Sequence, residues 1–445
     1  MSPQHFQEFM GDYAKHYDLL KDIVFNTNVK SVTRNAADTR WSILVEKEGK
    51  TEVLEFDKVA LCHGYQTRAV VPEFEGQEQF EGTLMHSQQY RSGEAFKGKR
   101  VVVVGLRSTA GDVVPDLVPH AAEVYLSHRR GAMPFKRYTK GTPADLGITW
   151  RRRQMSHLLQ RYAPGLARAL IDFALPRVVR RLWGDELDPA WGLLPFPNIS
   201  LVLPGSFENV IPLLRDGSVR SVPGIRRFAG PRAVEFADGR VVDDVDAVVF
   251  CTGYAADFSV APFVRTSTPT AHGYRGAPIY RLYMNLFPAE HADSCVLLCY
   301  SAFGKSNGFS FADVTSMAVS NVWRGVEKLP AREAMEQHID RHQAWVAGRW
   351  ALEPTIDPSG VKQWEFQRWQ HRAAGTGMEN LGWGWKGWRF WWRDRKMYKL
   401  MNDGVETAHA YRYFETGKRK TWDGARAEII HQNELVKSMF PIKEA

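Results

Sequence analysis

A chain of 445 residues with 44% apolar and 24% charged side chains has the composition of an ordinary globular protein, long enough for about three domains. Its formal net charge of +8 favours anionic ligands such as dinucleotides, and the scattered basic residues, with no nucleic-acid-binding motif among them, argue against nucleic acid. The four cysteines, Cys62, Cys251, Cys295 and Cys299, lie in apolar runs without metal-ligand spacing, which predicts buried thiols, no metal and a cytoplasmic setting. No apolar run reaches the roughly 18 residues of a membrane span.

The first stretch, with Phe6, Phe9, Met10, Tyr13 and Tyr17 at helical spacing, predicts an amphipathic helix. Strands are expected at Ile23–Phe25, Val29–Val32, Trp41–Val45 and Val53–Phe56. Polar turns separate them, the pattern of antiparallel strands inserted into a larger fold. Val59–Cys62 then returns to a parallel sheet and ends in His63-Gly64-Tyr65, where a packed role is expected for His63 ahead of a nucleotide contact.

Next come the spaced residues Phe80, Gly82, His86, Tyr90 and Arg91, and then Val101–Val104, four β-branched residues in the manner of a parallel strand buried on both faces. A dinucleotide-binding turn after such a strand has the form Gly-x-Gly-x-x-Gly/Ala. Here Gly105 takes the first position and Ala110 the third, while Arg107 replaces the second glycine; Ser108, Thr109, Gly111 and Asp112 complete the turn and open a helix. If position 107 needs a positive φ, a side chain costs about 1–2 kcal/mol there. Arg107 either obstructs the pyrophosphate or meets it with its guanidinium, and a plain strand-turn-helix crossover holding no nucleotide is the other reading. Glu123–Ser127 alternates like a strand and leads into Arg129 and Arg130, roughly 20 residues past the glycine, where the ribose is read. Two arginines in place of an acid point to a 2′-phosphate, hence NADP.

Trp150–Trp183 is basic with apolar residues at helical intervals, suited to lying on a membrane surface or, as expected here, to covering a sheet edge or substrate channel. Strands follow at Ser218–Val222, Ala233–Phe236 and Asp246–Tyr254, the last carrying Thr252 and Gly253. Ser294–Tyr300 predicts a strand, residues 302–309 a loop, and Ala312–Val326 a helix whose N-terminus would be a natural anion site. Beyond Pro330 helical patterns dominate. Trp383, Trp385, Trp388, Trp391 and Trp392 alternate there with Lys386, Arg389, Arg393 and Arg395, and are expected to pack as an aromatic cap on the cofactor domains rather than to stack on nucleic acid.

The motif Phe80-x-Gly82-x3-His86-x3-Tyr90-Arg91 resembles the fingerprint of the flavin-containing monooxygenases, the dimethylaniline monooxygenase-like family. Tyr90-Arg91 sets it apart from the related Baeyer–Villiger enzymes. Phe250–Tyr254 resembles the family's Phe-Ala-Thr-Gly-Tyr string with Cys251 for alanine, and Thr421–Arg426 a string near the end of some members. The resemblance implies an α/β fold of two nested Rossmann-like dinucleotide-binding domains, the FAD domain incomplete at its N-terminus, plus a helical Trp-rich C-terminal cap. It divides the chain into 1–95, a remnant of the FAD domain with inserted strands; 96–250, the NADPH domain with a helical insert at 150–190; 251–330, the return to the FAD domain; and 331–445, the cap. It implies NADP(H) and FAD as cofactors, with Ser306 and Asn307 beside the flavin. A small nucleophilic amine or sulfide and dioxygen would be the substrates, oxygenated through a C4a-hydroperoxyflavin. No residue need then be a general acid or base. The family's FAD glycine turn is not found before the inserted strands, so the chain alone is expected to bind FAD weakly. A truncated or inactive NADP-binding protein, or an interaction protein using the basic helices and the Trp-rich tail, are the alternatives.

Overall fold

The computed structural model describes residues 3–64, 66–139, 141–202, 204–267, 279–298, 308–353, 356 and 359–440. Two compact units emerge, residues 1–60 with 257–265 and residues 61–256 with 266–445.

In the smaller unit, helix Pro3–His16 precedes a three-stranded antiparallel sheet, Thr27–Arg34, Trp41–Lys47 and Lys50–Phe56. The last two strands join through Glu48-Gly49, both at positive φ (51° and 75°), the two-residue turn whose twist matches that of the strands. Trp41 is fully buried, 4.7 Å from the Phe263 ring. The strand expected at Ile23–Phe25 does not form: these residues are exposed, and the chain turns at Asn26 with φ +55°. Burial did not support an apolar triplet with no facing partner.

The larger unit is built on a five-stranded parallel sheet in the order Val219–Val222, Glu123–Ser127, Arg100–Val104, Ala247–Phe250, Thr83–His86. Val101 and Val103 face helix Ser108–Leu117 and Val210–Ile211, while Val102 and Val104 face a small antiparallel sheet carrying Phe228, Val234 and Phe236. This two-residue alternation with both sides covered is why the run is uniformly apolar. Thr83–His86, from the fingerprint, forms one edge of the sheet, outside the expected 96–250 limits.

Helices Trp150–Tyr162 and Pro164–Trp183 form as expected, with Val179 and Trp183 in the core beside the sheet and Leu158, Leu166, Leu170 and Phe173 exposed. The later helix spans Gly308–Trp323 among the described residues. It packs on Gln363–Ala374, where Gln370 donates to Thr315 Oγ1 (2.7 Å) and Asn321 to the Ala373 carbonyl (2.8 Å). Three expectations fail on exposure. Cys62 is exposed, whereas Cys251 and Cys295 are buried; Cys299 lies outside the described residues. His63 is exposed. Of the expected aromatic cap, Trp383, Trp385, Trp388 and Trp392 are exposed; helix Trp385–Arg393, which carries the last three, buries its opposite side.

Burial drives His342 down to about 4 and His371 to about 3. Both are therefore neutral in the folded protein but take up protons when unfolded below the ordinary histidine value near 6.5, so stability falls as pH drops from about 6.5 towards 4. Each should contribute about 1 kcal/mol of loss per pH unit in that window. His342 stacks on Trp345 (5.7 Å), so His342→Phe retains the packing. Urea midpoints at pH 7 and pH 5 should show a smaller pH-dependent loss in that variant than in the wild type.

Candidate functional site

The site is the carboxyl edge of the parallel sheet, the usual ligand crevice of an open α/β fold. Gly105 follows the central strand with φ +111°. A Cβ there would lie 2.5 Å from the Cys251 carbonyl oxygen, so glycine is required both for the turn and for the approach of the neighbouring chain. Burial pushes the Cys251 thiol up to about 12, leaving it unreactive packing. Ala110 is fully buried, and Gly111 passes against Ser206 and Phe207, where a Cβ would clash with backbone.

Arg107 has φ −146° and ψ −165° and stands at the N-cap of helix Ser108–Leu117. Its backbone is extended, so the strain foreseen for a positive φ does not arise. Its side chain is exposed and makes no hydrogen bond or ion pair among the described residues. The first turn leaves the N–H groups of Ser108, Thr109 and Ala110 without intrahelical acceptors, at the positive end of the helix dipole. Asp112, on the same turn, is exposed.

One strand over, the chain leaves Ser127 into a cavity of about 620 Å³ lined by His128, Arg129, Arg130, Trp191, Phe196 and Glu353 among others. The two arginines part company here. Arg130 is ion-paired with Glu353, which neutralises it. Arg129 runs its stem along Gly224 and forms no ion pair or hydrogen bond among the described residues. His128 shapes the wall: Nδ1 lies 2.9 Å from the Arg130 carbonyl and Nε2 3.0 Å from that of Trp191, to which Ser221 also donates (2.7 Å). Desolvation lowers the His128 pKa.

The fingerprint residues flank strand Thr83–His86, and His86 at its carboxyl end braces this edge. Phe80 is buried with its ring 4.9 Å from Phe228, and Gly82 leaves room for the Phe80 ring and the Asp246 carbonyl (2.8 Å from a Cβ). His86 is buried; its Nδ1 accepts from Gln88 N–H (3.2 Å), so Nε2 donates to the Gly253 carbonyl (3.1 Å). Thr252 donates to the Val70 carbonyl (2.5 Å), and Val70 N–H to Gly253 (3.0 Å), with Gly253 at φ +83°. Tyr90 stacks on Phe96 (5.7 Å) and donates to Asp116 (2.6 Å) at the far end of helix Ser108–Leu117. Burial and that carboxylate raise the Tyr90 pKa. Arg91 is exposed and, among the described residues, donates only to the nearby carbonyls of Gln88 and Tyr90.

The structure thus brings Gly105–Asp112, Arg129, Arg130, Thr252, Gly253 and, of the fingerprint, His86 to one sheet edge, while Phe80 and Gly82 lie at the amino end of strand Thr83–His86. Ser306 and Asn307 lie outside the described residues. Sequence reasoning missed the cavity wall at Trp191–Pro197 and Glu353, which arrive from distant segments. The run of Trp191, Gly192, Pro195 and Pro197 was the available hint of a stiff wall. A second Gly-x-Gly-x-x-Gly, at Gly382, Gly384 and Gly387, follows a 3-10 turn rather than a strand, and Gly387 is needed there because a Cβ would strike the Gly382 carbonyl.

Residues 1–443 match the model of the flavin-binding monooxygenase-like family. This chain belongs to that family. It is 35% identical to monooxygenase aurF of Gibberella zeae over 96% of this chain and 81% of that protein. It is 29% identical to human flavin-containing monooxygenase 5 over 78% of this chain, but spans only 65% of that relative's length. Family membership makes the chain part of an oxidoreductase family of flavin-dependent monooxygenases. The crystal structure of cyclohexanone monooxygenase from Rhodococcus sp. Phi1 bound to NADP⁺ superposes with a TM-score of 0.57 at 16% identity, covering 84% of this chain and 82% of that one, and thus shares its α/β dinucleotide-binding fold. No helix among the described residues is long and apolar enough to cross a membrane, and no metal-ligand cluster occurs among them.

If the fingerprint acts as a brace, His86→Ala should lower stability by about 1–3 kcal/mol, the cost of a lost buried hydrogen-bonding group. NADPH affinity should then change far less than thermal stability. Calorimetry together with a cofactor titration separates the two effects, and a large affinity loss at unchanged melting temperature would point to direct contact instead.

Proposed function

We propose that this chain uses NADPH in the flavin-dependent oxygenation of a soft nucleophile, an amine nitrogen or a sulfide sulfur. The observation that carries the nucleotide part is Arg129, a guanidinium with no partner among the described residues, in a cavity one strand from the Gly105 turn. The 2′-phosphate would sit against Arg129, and the pyrophosphate against the N–H groups of Ser108–Ala110 with Arg107 alongside. Thr252 and Gly253 hold the neighbouring turn in place. These residues fit the cofactor in charge and in backbone openness.

For the flavin, family membership is the support. Bound FAD would supply the oxygen-activating chemistry. The described residues do not make up an FAD pyrophosphate turn, so no step is assigned through it. Helix Gly308–Trp323 offers its N-terminus as one contact, which alone contributes about 0.3–2 kcal/mol. What this chain's residues do is bind and orient the nicotinamide nucleotide, with His86 bracing the Gly253 turn at that edge. The amine or sulfide class rests on the fingerprint's resemblance and on relatives named as flavin-containing monooxygenases; the domain limits given above are part of the same proposal.

Titration of NADPH and NADH should show tighter NADPH binding by the wild type. Arg129→Ala should lose that preference, weakening NADPH by about 1.5–3 kcal/mol, or roughly tenfold to more than a hundredfold. Arg130→Ala should lose less, because Glu353 already offsets its charge. Equal affinity of the wild type for the two nucleotides would sink the assignment. For the reaction, NADPH consumption with added FAD and an amine or sulfide should yield the N-oxide or sulfoxide by mass spectrometry.

A further inference from the structure

We propose that helix Trp385–Arg393 is a docking surface for an anionic lipid bilayer. This is independent of the nucleotide reading. Trp385, Trp388 and Trp392 are 81%, 59% and 76% exposed. Their spacing of three and four residues places them on one helix face. The opposite face is anchored: Gly387 abuts the Gly382 carbonyl, and the buried Phe390 ring lies 6.0, 5.8 and 4.9 Å from Tyr398, Tyr413 and Phe414. The tryptophans therefore cannot turn inwards without uprooting Phe390.

The charge along this segment is predominantly positive. Residues 383–399 contain Lys386, Arg389, Arg393, Arg395, Lys396 and Lys399 against the single acid Asp394, which is itself paired with Arg426. Lys386 meets Glu379 (3.1 Å) and Arg395 lies over the Trp391 ring (4.2 Å). The side chains of Arg389, Arg393, Lys396 and Lys399 make no hydrogen bond or ion pair among the described residues.

Protruding tryptophans interleaved with unpaired cations match a bilayer interface. Indole rings settle at headgroup depth, and lysine and arginine stems lie along apolar surface with their charges at the phosphates. A protein partner would call for a face depleted of charge at its centre. Single-stranded nucleic acid is bound in a positively charged groove, and rings standing this far out of the surface do not line one.

The full chain is tested by co-sedimentation with phosphatidylcholine vesicles, with and without one-third phosphatidylglycerol. Binding to the anionic vesicles should be at least about tenfold tighter and weaken in high salt. Trp385→Ser, Trp388→Ser and Trp392→Ser combined should abolish it, and Arg389→Glu with Arg393→Glu should remove the preference for anionic lipid, both with an unchanged melting curve because the residues are exposed. Absence of vesicle binding by the wild type, or retention by the triple tryptophan variant, overturns the proposal. So does a tryptophan-dependent gel shift of single-stranded RNA, or a tryptophan-dependent dimer, in a protein that ignores vesicles.

Discussion

The candidate site depends on the close passage of two backbones, Gly105 beneath the Cys251 carbonyl. Neighbouring parallel strands end side by side there, and each must turn at once, one into helix Ser108–Leu117 and the other through Thr252-Gly253. A side chain at position 105 would fill the gap at 2.5 Å from the carbonyl oxygen and occupy a left-handed φ that L-residues rarely adopt. With that gap open, the helix N-terminus faces the sheet edge and Gly111 can settle against Ser206-Phe207. Of the fingerprint, His86 acts on this junction through the Gly253 carbonyl, whereas Tyr90 fixes the far end of the same helix through Asp116. The fingerprint residues are spaced as they are because a strand, a turn and a 3-10 turn carry them to three different partners.

Electrostatics then sorts residues that look equivalent on paper. Arg129 and Arg130 are adjacent and both border the cavity, yet Glu353, more than 200 residues away in sequence, neutralises one and leaves the other. An exposed ion pair of this kind adds little stability. Its consequence lies in which guanidinium remains available to an anion. Arg107 illustrates the converse: a residue that breaks the glycine pattern sits in ordinary extended backbone, since in this turn the special conformation falls on Gly105 alone.

Much of the architecture was legible beforehand because it follows from local pattern. The valine run, its alternation between two cores, the glycine turn, the strand before the arginines and the fingerprint spacing all describe elements whose neighbours lie close in sequence. Segments whose state depends on a distant partner were misread. Ile23–Phe25 has strand-like residues but no facing surface, and His63 and Cys62 sit at the end of an apolar run yet emerge exposed.

Local sequence suffices for the family and the sheet edge: periodicity sets strand and helix, and glycine at a position needing positive φ sets the turn, both properties of a few consecutive residues. The tertiary structure alone decided which charges are spent on internal partners and which apolar rings are covered. Composition made the tryptophans of residues 383–392 look like core, but a helix has two sides, and Gly387 and Phe390 took the buried one. Burial and charge pairing are sums over segments far apart in the chain, and no window of the sequence contains them.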